Sequence, residues 1–456
     1  MLFHISVYNH YTATTLCCVS DLKPLFDPIP LRREQVQPAC HSDFEPDRLS
    51  CLPGHVIDQI LSHLPLREAV RTSVLSSKWR YKWATLPNLV FDNQCHSVAS
   101  QDHSDIKNKL LRIIDHVLLL HAGAINKFKL SHRDLIGVTD IDRWSLHLTR
   151  RSVKEFVLEI WKGQRYKIPS CLFTCQSLVH LELFNCWLKP PSTFQGFKNL
   201  KSLDLQHVTL AQDVFENLIS SCPMLERLTL MNFDGFANLN IDAPNLQFFD
   251  IGGKFEDISF ENTFQLSVVS IGLYLNFETN QNRLRGSSSN LLKFFVHLPH
   301  VRRLEVQSYF LKYLAIGAVP LKLPRPCIDL SYLSIRMNFD DSKEISTALC
   351  LLRSSPNLQE LEVLARPDEQ NVLIHPYCGE DEYCSCPIMQ LRHVRIDGVS
   401  GTKPELDFIS FLLLYSPVLE RMTVKPVSSG VTELMKELLR FRRASGRAEI
   451  IYQESP

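Results

Sequence analysis

One spacing of apolar residues keeps returning along this chain: an apolar residue, a second three positions later, and a third two positions after that. It occurs at Ile125/Phe128/Leu130, Val153/Phe156/Leu158, Leu178/Leu181/Leu183, Leu200/Leu203/Leu205, Leu225/Leu228/Leu230 and Leu246/Phe249/Ile251. Six more follow at Leu266/Val269/Ile271, Val301/Leu304/Val306, Leu330/Leu333/Ile335, Leu358/Leu361/Val363, Leu391/Val394/Ile396 and Leu419/Met422/Val424. Successive occurrences lie 20 to 35 residues apart. An offset of two keeps side chains on one face of a strand, and one strand per unit of this length is the pattern of a stacked repeat. A single triplet arises by chance in any core; twelve at near-regular spacing predict a solenoid built on a curved parallel sheet. Segments such as 211–222 supply helices for a second layer. The asparagine or cysteine that completes a strict repeat stands at Cys186 and Asn338 but is missing from most units, so uneven curvature is expected.

Ahead of the array, the stretch from Arg48 to Trp83 follows a different period. Pro53 suits a helix start, where its missing N–H costs nothing. Val56, Ile57, Ile60, Leu61 and Leu64 recur at helical spacing and form one apolar stripe, which Pro65 ends. Leu66, Ala69 and Val70 mark a second short helix. A third is expected to open at Ser76 or Ser77 and to carry Trp79 and Trp83 one above the other. Three helices in fewer than forty residues cannot bury this much apolar surface unaided. Either a partner covers part of the face, or the helices pack wholly inside their own protein. Six cations (Arg48, Arg67, Arg71, Lys78, Arg80, Lys82) against Asp58 and Glu68 leave a net charge of +4, which favours an acidic partner.

The residues Leu52-Pro53, Val56-Ile57, Ile60-Leu61, Leu64-Pro65, the run Ala69 to Ser76, and Lys78-Trp79-Arg80 with Trp83 resemble an F-box. More narrowly, they resemble the F-box of a large plant family that joins it to leucine-rich repeats and a C-terminal FBD domain. Lys78 departs mildly from the pattern, since arginine is frequent there. The resemblance implies docking on a Skp-type adaptor and, through it, on a cullin. The residues it assigns to that contact are Leu52, Pro53, Ile57, Ile60, Leu61, Leu64, Pro65, Val70, Leu75, Trp79 and Trp83. The last stretch resembles an FBD domain, carried by residues 392–403 and 416–424. It reads as strand, glycine-rich turn, a helix opened by Pro404, a second strand, a helix over 431–444 and a final strand over 448–452. Its expected task is to cover the last apolar face of the solenoid.

The fold class expected is therefore α/β: a small three-helix F-box, an irregular leucine-rich-repeat solenoid and an FBD cap. Residues 1–46 read as an atypical, poorly ordered extension, 47–87 as the F-box, and 88–124 as linker and helix. Residues 125–385 form the repeats and 386–456 the FBD domain. Within the linker, 88–104 is polar and broken, whereas 106–120 fits a buried helix. Two exposed loops, 281–290 and 366–387, interrupt the array.

Composition narrows the functional classes. With 456 residues, 45% hydrophobic content and 49 cations against 49 acids, the chain is long enough for large cores and has no global nucleic-acid footprint. Fourteen scattered cysteines are too sparse for a disulfide scaffold and read as reduced thiols. No apolar run reaches membrane-spanning length, and the first basic residue, Lys23, comes too late for a signal or transit segment. Cytoplasm, nucleus or both are the expected locations.

Catalytic constellations are missing: there is no G-x-S-x-G, P-loop or H-E-x-x-H, and no RING-type cysteine array. Cys378, Cys384, Cys386 and His375 lack the spacing of a zinc site and read as part of a solvated loop. No cofactor and no metal are expected. Two functions compete. In the first, the chain is the non-catalytic substrate receptor of a Skp–cullin–F-box ubiquitin ligase, holding an unidentified target on its repeats. In the second, it is a non-degradative leucine-rich-repeat scaffold. The completeness of the F-box favours the first.

Overall fold

Strands form here wherever an apolar residue alternates with a polar one, and each strand needs an identical neighbour to bury its apolar side. The computed structural model describes Leu49 and residues 51–93, 103–136, 139–274, 289–298, 300–366, 387–427 and 432–453. The expected extension 1–46, most of both loops and the Cys378/Cys384/Cys386/His375 group lie outside the described residues. The chain divides into two compact units, up to Gln164 and from Arg165.

In the first unit, helices α1 (Gly54–Ser62) and α2 (Leu66–Arg71) are followed by 3-10 turns at Thr72–Val74 and Lys82–Thr85. Strand β1 (Asn88–Phe91) then pairs in parallel with β2 (Lys127–Ile136), and β2 with β3 (Glu155–Lys162). The polar, broken reading thus needs correction at 88–91. Leu86, Leu89 and Phe91 repeat the 3-then-2 spacing, all three are buried, and Leu89 and Phe91 stand in register with Phe128 and Leu130. Helix α3 (His103–Leu120) buries Leu110, Ile114, Val117 and Leu118, but its last two leucines, Leu119 and Leu120, are exposed. Helix α4 (Asp140–Arg150) buries Ile141, Trp144 and Leu148, and the Trp144 indole donates to Asp115 Oδ1 at 2.7 Å.

In the second unit, the short β4 (Tyr166–Lys167) pairs with β6 (Cys186–Trp187), while β5 (His180–Phe184) pairs with β7 (Ser202–Gln206) and β7 with β8 (Arg227–Met231). A side ladder joins β9 (Asn238–Asp242) to β11 (Asp257–Glu261). The main sheet continues through β10 (Phe248–Gly253), β12 (Val268–Leu273), β13 (Arg303–Ser308) and β14 (Tyr332–Met337). It ends with β15 (Glu360–Ala365), β16 (His393–Val399), β17 (Arg421–Pro426) and β18 (Glu449–Tyr452), every pairing parallel.

The register explains the recurring triplet. Leu203, Leu228, Phe249, Val269, Leu304, Leu333, Leu361, Val394 and Met422 are matched strand to strand, and each is buried. Strand ends turn sharply where Asn185, His207 and Asn232 take φ of 59°, 53° and 52°. Asparagine and histidine tolerate that left-handed region better than most side chains. Each of the three donates its N–H to the next strand, to the carbonyls of Gln206, Met231 and Gly252 at 2.9, 2.8 and 2.7 Å.

Helices α5 (Gln212–Ser220), α6 (Asn290–Phe295), α7 (Phe310–Leu314) and α8 (Ser342–Arg353) lie in the connections. Helix α9 (Lys403–Tyr415) opens as read from Pro404, with a capping box between Thr402 and Glu405. Helix α10 (Thr432–Arg440) precedes the last strand. The strands on either side of residue 386 pair directly, so the stretch expected to be a separate cap continues the repeat sheet. The edge it presents is only partly covered: Ile450 and Tyr452, in register with buried Met422 and Val424, are half-buried.

Candidate functional site

The stretch that resembles an F-box is built around four side chains. Ile57 and Leu61 lie one turn apart on the inner face of α1 and are fully buried, and the indoles of Trp79 and Trp83 are buried with them in the first unit's core. The expected third α-helix does not form. Residues 75–81 are a chain of turns, with Trp79 N–H donating to Ser76 O at 3.1 Å and Lys82 N–H to Trp79 O at 3.2 Å. Such bonds between residues three apart tighten the backbone below α-helical pitch, so the two tryptophans do not stack at i and i+4. What draws Trp79 inward is a specific partner: its indole N–H donates to Leu49 O at 3.1 Å. Lys78 Nζ donates to Leu52 O, and Lys82 pairs with Asp58 at 3.0 Å. These contacts tie the start of the domain to its end.

Burial sorts the eleven residues singled out in the sequence. Ile57, Leu61, Trp79 and Trp83 are core. Leu52 and Val70 are half-buried. Pro53, Ile60, Leu64, Pro65 and Leu75 are exposed, Ile60 by 39% and Leu75 by 44%. The sequence reading missed three further exposed apolar side chains: Leu49, Val74 at 71% and Tyr81 at 67%. Their signal was position, since Val74 and Tyr81 sit inside the F-box run but off its helical period. At the corner between α1 and α2, a cavity of about 400 Å³ is lined by Leu61, Leu64, Pro65 and Leu66 together with Asn88 and Lys127.

The second surface is the sheet face of the second unit. Positions alternating with the buried ladder, such as Asp204, Thr229, Asp250 and Glu305, are half-buried and stand in register from strand to strand. Gly252 and Gly272 leave part of this face without side chains. A Cβ on Gly252 would run into the Tyr274 hydroxyl and the Met231 sulfur. Among the described residues, no cluster of histidine, cysteine or carboxylate side chains could hold a metal ion, and no helix is long and apolar enough to cross a membrane.

Comparison with known proteins meets this geometry at both surfaces. A model of the F-box domain matches residues 49–91. A model described as the LRR repeats of FBD-associated F-box protein At5g56370 matches residues 141–363. F-box/FBD/LRR-repeat protein At1g13570 of Arabidopsis thaliana is 42% identical over 419 residues, covering 89% of this chain and 98% of its own. The chain belongs to the F-box/FBD/LRR-repeat family. FBD-associated F-box protein At1g66310 of the same plant is 28% identical, spanning 91% of this chain and 97% of its own length. In this F-box/FBD/LRR-repeat protein, the F-box match runs to Phe91 and so takes in β1, the strand that the sequence reading assigned to a linker.

Proposed function

We propose that this F-box/FBD/LRR-repeat protein is the substrate receptor of a Skp–cullin–F-box ubiquitin ligase. Its F-box docks on a Skp-type adaptor, and its repeat sheet holds the protein to be modified. The observation that carries the reading is the division within the F-box. Ile57, Leu61, Trp79 and Trp83 already satisfy its core, yet Ile60, Leu64, Val74 and Leu75 remain exposed beside it. Apolar side chains that a small domain could have buried but does not are the mark of an interaction surface. The positive charge of the stretch suits an acidic adaptor.

The chain's own part is then positional. It supplies no reacting group but brings a target lysine close to a charged enzyme elsewhere in the assembly, where proximity and orientation lower the barrier. The reading places the protein in the cytoplasm, the nucleus or both, which imaging of a fluorescent fusion checks.

The test is capture of a plant Skp-type adaptor by the full chain and by the Ile60→Asp/Leu64→Asp variant. Loss of capture in a variant that still melts like the parent supports the reading. Undiminished capture by the variant refutes it. Capture without ubiquitination of any protein held on the repeats would favour the scaffold reading.

A further inference from the structure

The exposed side of the second unit's sheet is not uniform. From β5 to β12 the central face positions are Glu182, Asp204, Thr229, Asp250 and Ser270, in register, with no lysine or arginine among them. Phe184 and Tyr274, the latter exposed by 40%, flank this stretch; a third ring, Phe248, is already covered by the guanidinium of Arg227, 4.0 Å from its centroid, an arginine on this part of the face. Asp204 accepts from the Gln206 amide at 3.1 Å, and burial, helped by the nearby Glu182 charge, pushes its carboxyl up to about 6.

From β13 to β16 the arrangement changes. Here arginines answer the face carboxylates: Arg303 donates to Glu305 at 2.9 Å, and Arg395 donates to Asp397 at 2.8 Å and lies 3.6 Å from Glu362. The neighbouring row adds the exposed Arg336 on β14 and the half-buried Lys425 on β17. Carboxylates thus outnumber cations at one end of the face, whereas at the other the cations slightly outnumber the carboxylates.

We propose that this face binds an extended segment of the recruited protein that is basic at one end and acidic at the other. The basic side chains lie over Asp204 and Asp250, where half-buried carboxylates attract more strongly than in bulk water and adjacent rings add cation–π attraction. The acidic side chains meet Arg336 and Lys425. From Asp204 on β7 to Arg336 on β14 is five strand spacings, roughly 24 Å at about 4.8 Å each. That matches about seven residues of extended chain at roughly 3.3 Å per residue. The inference rests on the proposed function, in which the repeats hold a target.

Two labelled peptides of identical composition test it against the full chain by fluorescence anisotropy. One carries a lysine block and a glutamate block joined by a Gly-Ser spacer; the other alternates the same charges. The blocked peptide should bind roughly tenfold tighter, with the difference shrinking at high salt. The Asp204→Asn/Asp250→Asn variant should lose that preference. So should Thr229→Lys, which sets a cation between the two acids and serves if the first variant fails to fold. Equal binding of the two peptides, or a preference unchanged in both variants, overturns the proposal. Adaptor capture is measured on the same samples. Its absence from the parent protein would count against the proposed function, whereas its presence beside a failed peptide test counts against this face alone.

Discussion

Arg366 and Glu344 form an ion pair removed from water: Nη2 lies 2.5 Å from Oε1, the Glu344 side chain is fully buried, and Arg366 is only 9% exposed. The same guanidinium donates to Ser308 O at 2.5 Å and lies 4.4 Å from the Tyr309 ring, while the Arg366 backbone donates to Met337 O at 2.7 Å. One side chain therefore ties three successive repeats. Burial pushes the Glu344 carboxyl up, and the guanidinium opposes that push.

Arg366→Ala leaves this carboxylate buried without its cation, and should destabilise the protein by roughly 3–5 kcal/mol. Arg366→Met combined with Glu344→Leu removes both charges and should cost far less. Denaturant melts of the two variants check this; equal losses would show that the pair contributes packing alone.

The F-box residues should separate by burial. Trp79→Ala removes a fully packed indole and should cost roughly 3–5 kcal/mol. Ile60→Asp alters an exposed side chain and should stay within about 0.5 kcal/mol of the parent. Hydrogen exchange across α1 and α2 reads both, and comparable loss of protection in the two variants would contradict the assignment of core and surface.

Asp204 links stability to pH. Its folded value of about 6 lies above the ordinary 3.8. The stability it contributes is therefore complete below the ordinary value and lost as pH rises through 6. Asp204→Asn should stabilise the protein at pH 7.5, on the order of 1–3 kcal/mol, with the gain fading toward pH 4. Melting temperatures of the two proteins across that range decide it. A gain at neutral pH would fit a face that keeps its charge for binding, at a cost in stability.

His121 and His147 act in the opposite sense. Burial, then the positive charge of Arg151, holds both below their ordinary range, with a backbone hydrogen bond to Leu86 partly offsetting the burial of His121. A lowered value means stability present above the ordinary value near 6.5 and lost as pH falls below it. Acidification from pH 7 should loosen the helices α3 and α4 first, and His147→Gln should weaken that pH dependence. An exchange profile of α4 that does not move between pH 7 and 5 would refute this.

Much of the repeat sheet could be read from the chain because strand burial has a period of two, which leaves a local trace: all twelve triplets place their last two residues on strands of the parallel sheets. The first strand escaped notice because a domain boundary at residue 87 cut through Leu86/Leu89/Phe91. The F-box helices were legible from proline and apolar spacing, but Trp79 and Trp83 were not. A spacing of four is compatible with an α-helix or with successive tight turns, and the backbone bonds between residues three apart, with the indole bond to Leu49 O, distinguish them. Nor does a sequence say which of Ile57 and Ile60 faces inward. That depends on which side of α1 the tryptophans occupy.

In the second unit, every main-sheet strand pairs only with its neighbours in the sheet order. Distances between triplets vary from 20 to 35 residues, yet the register holds, because the connections absorb the difference. Gaining or losing one strand with its connection would lengthen or shorten the sheet face by a single step, and would disturb only neighbouring units and the few bonds, such as those of Arg366, that reach across one. Copying or deleting one stretch of gene then resizes the sheet face without revising the F-box.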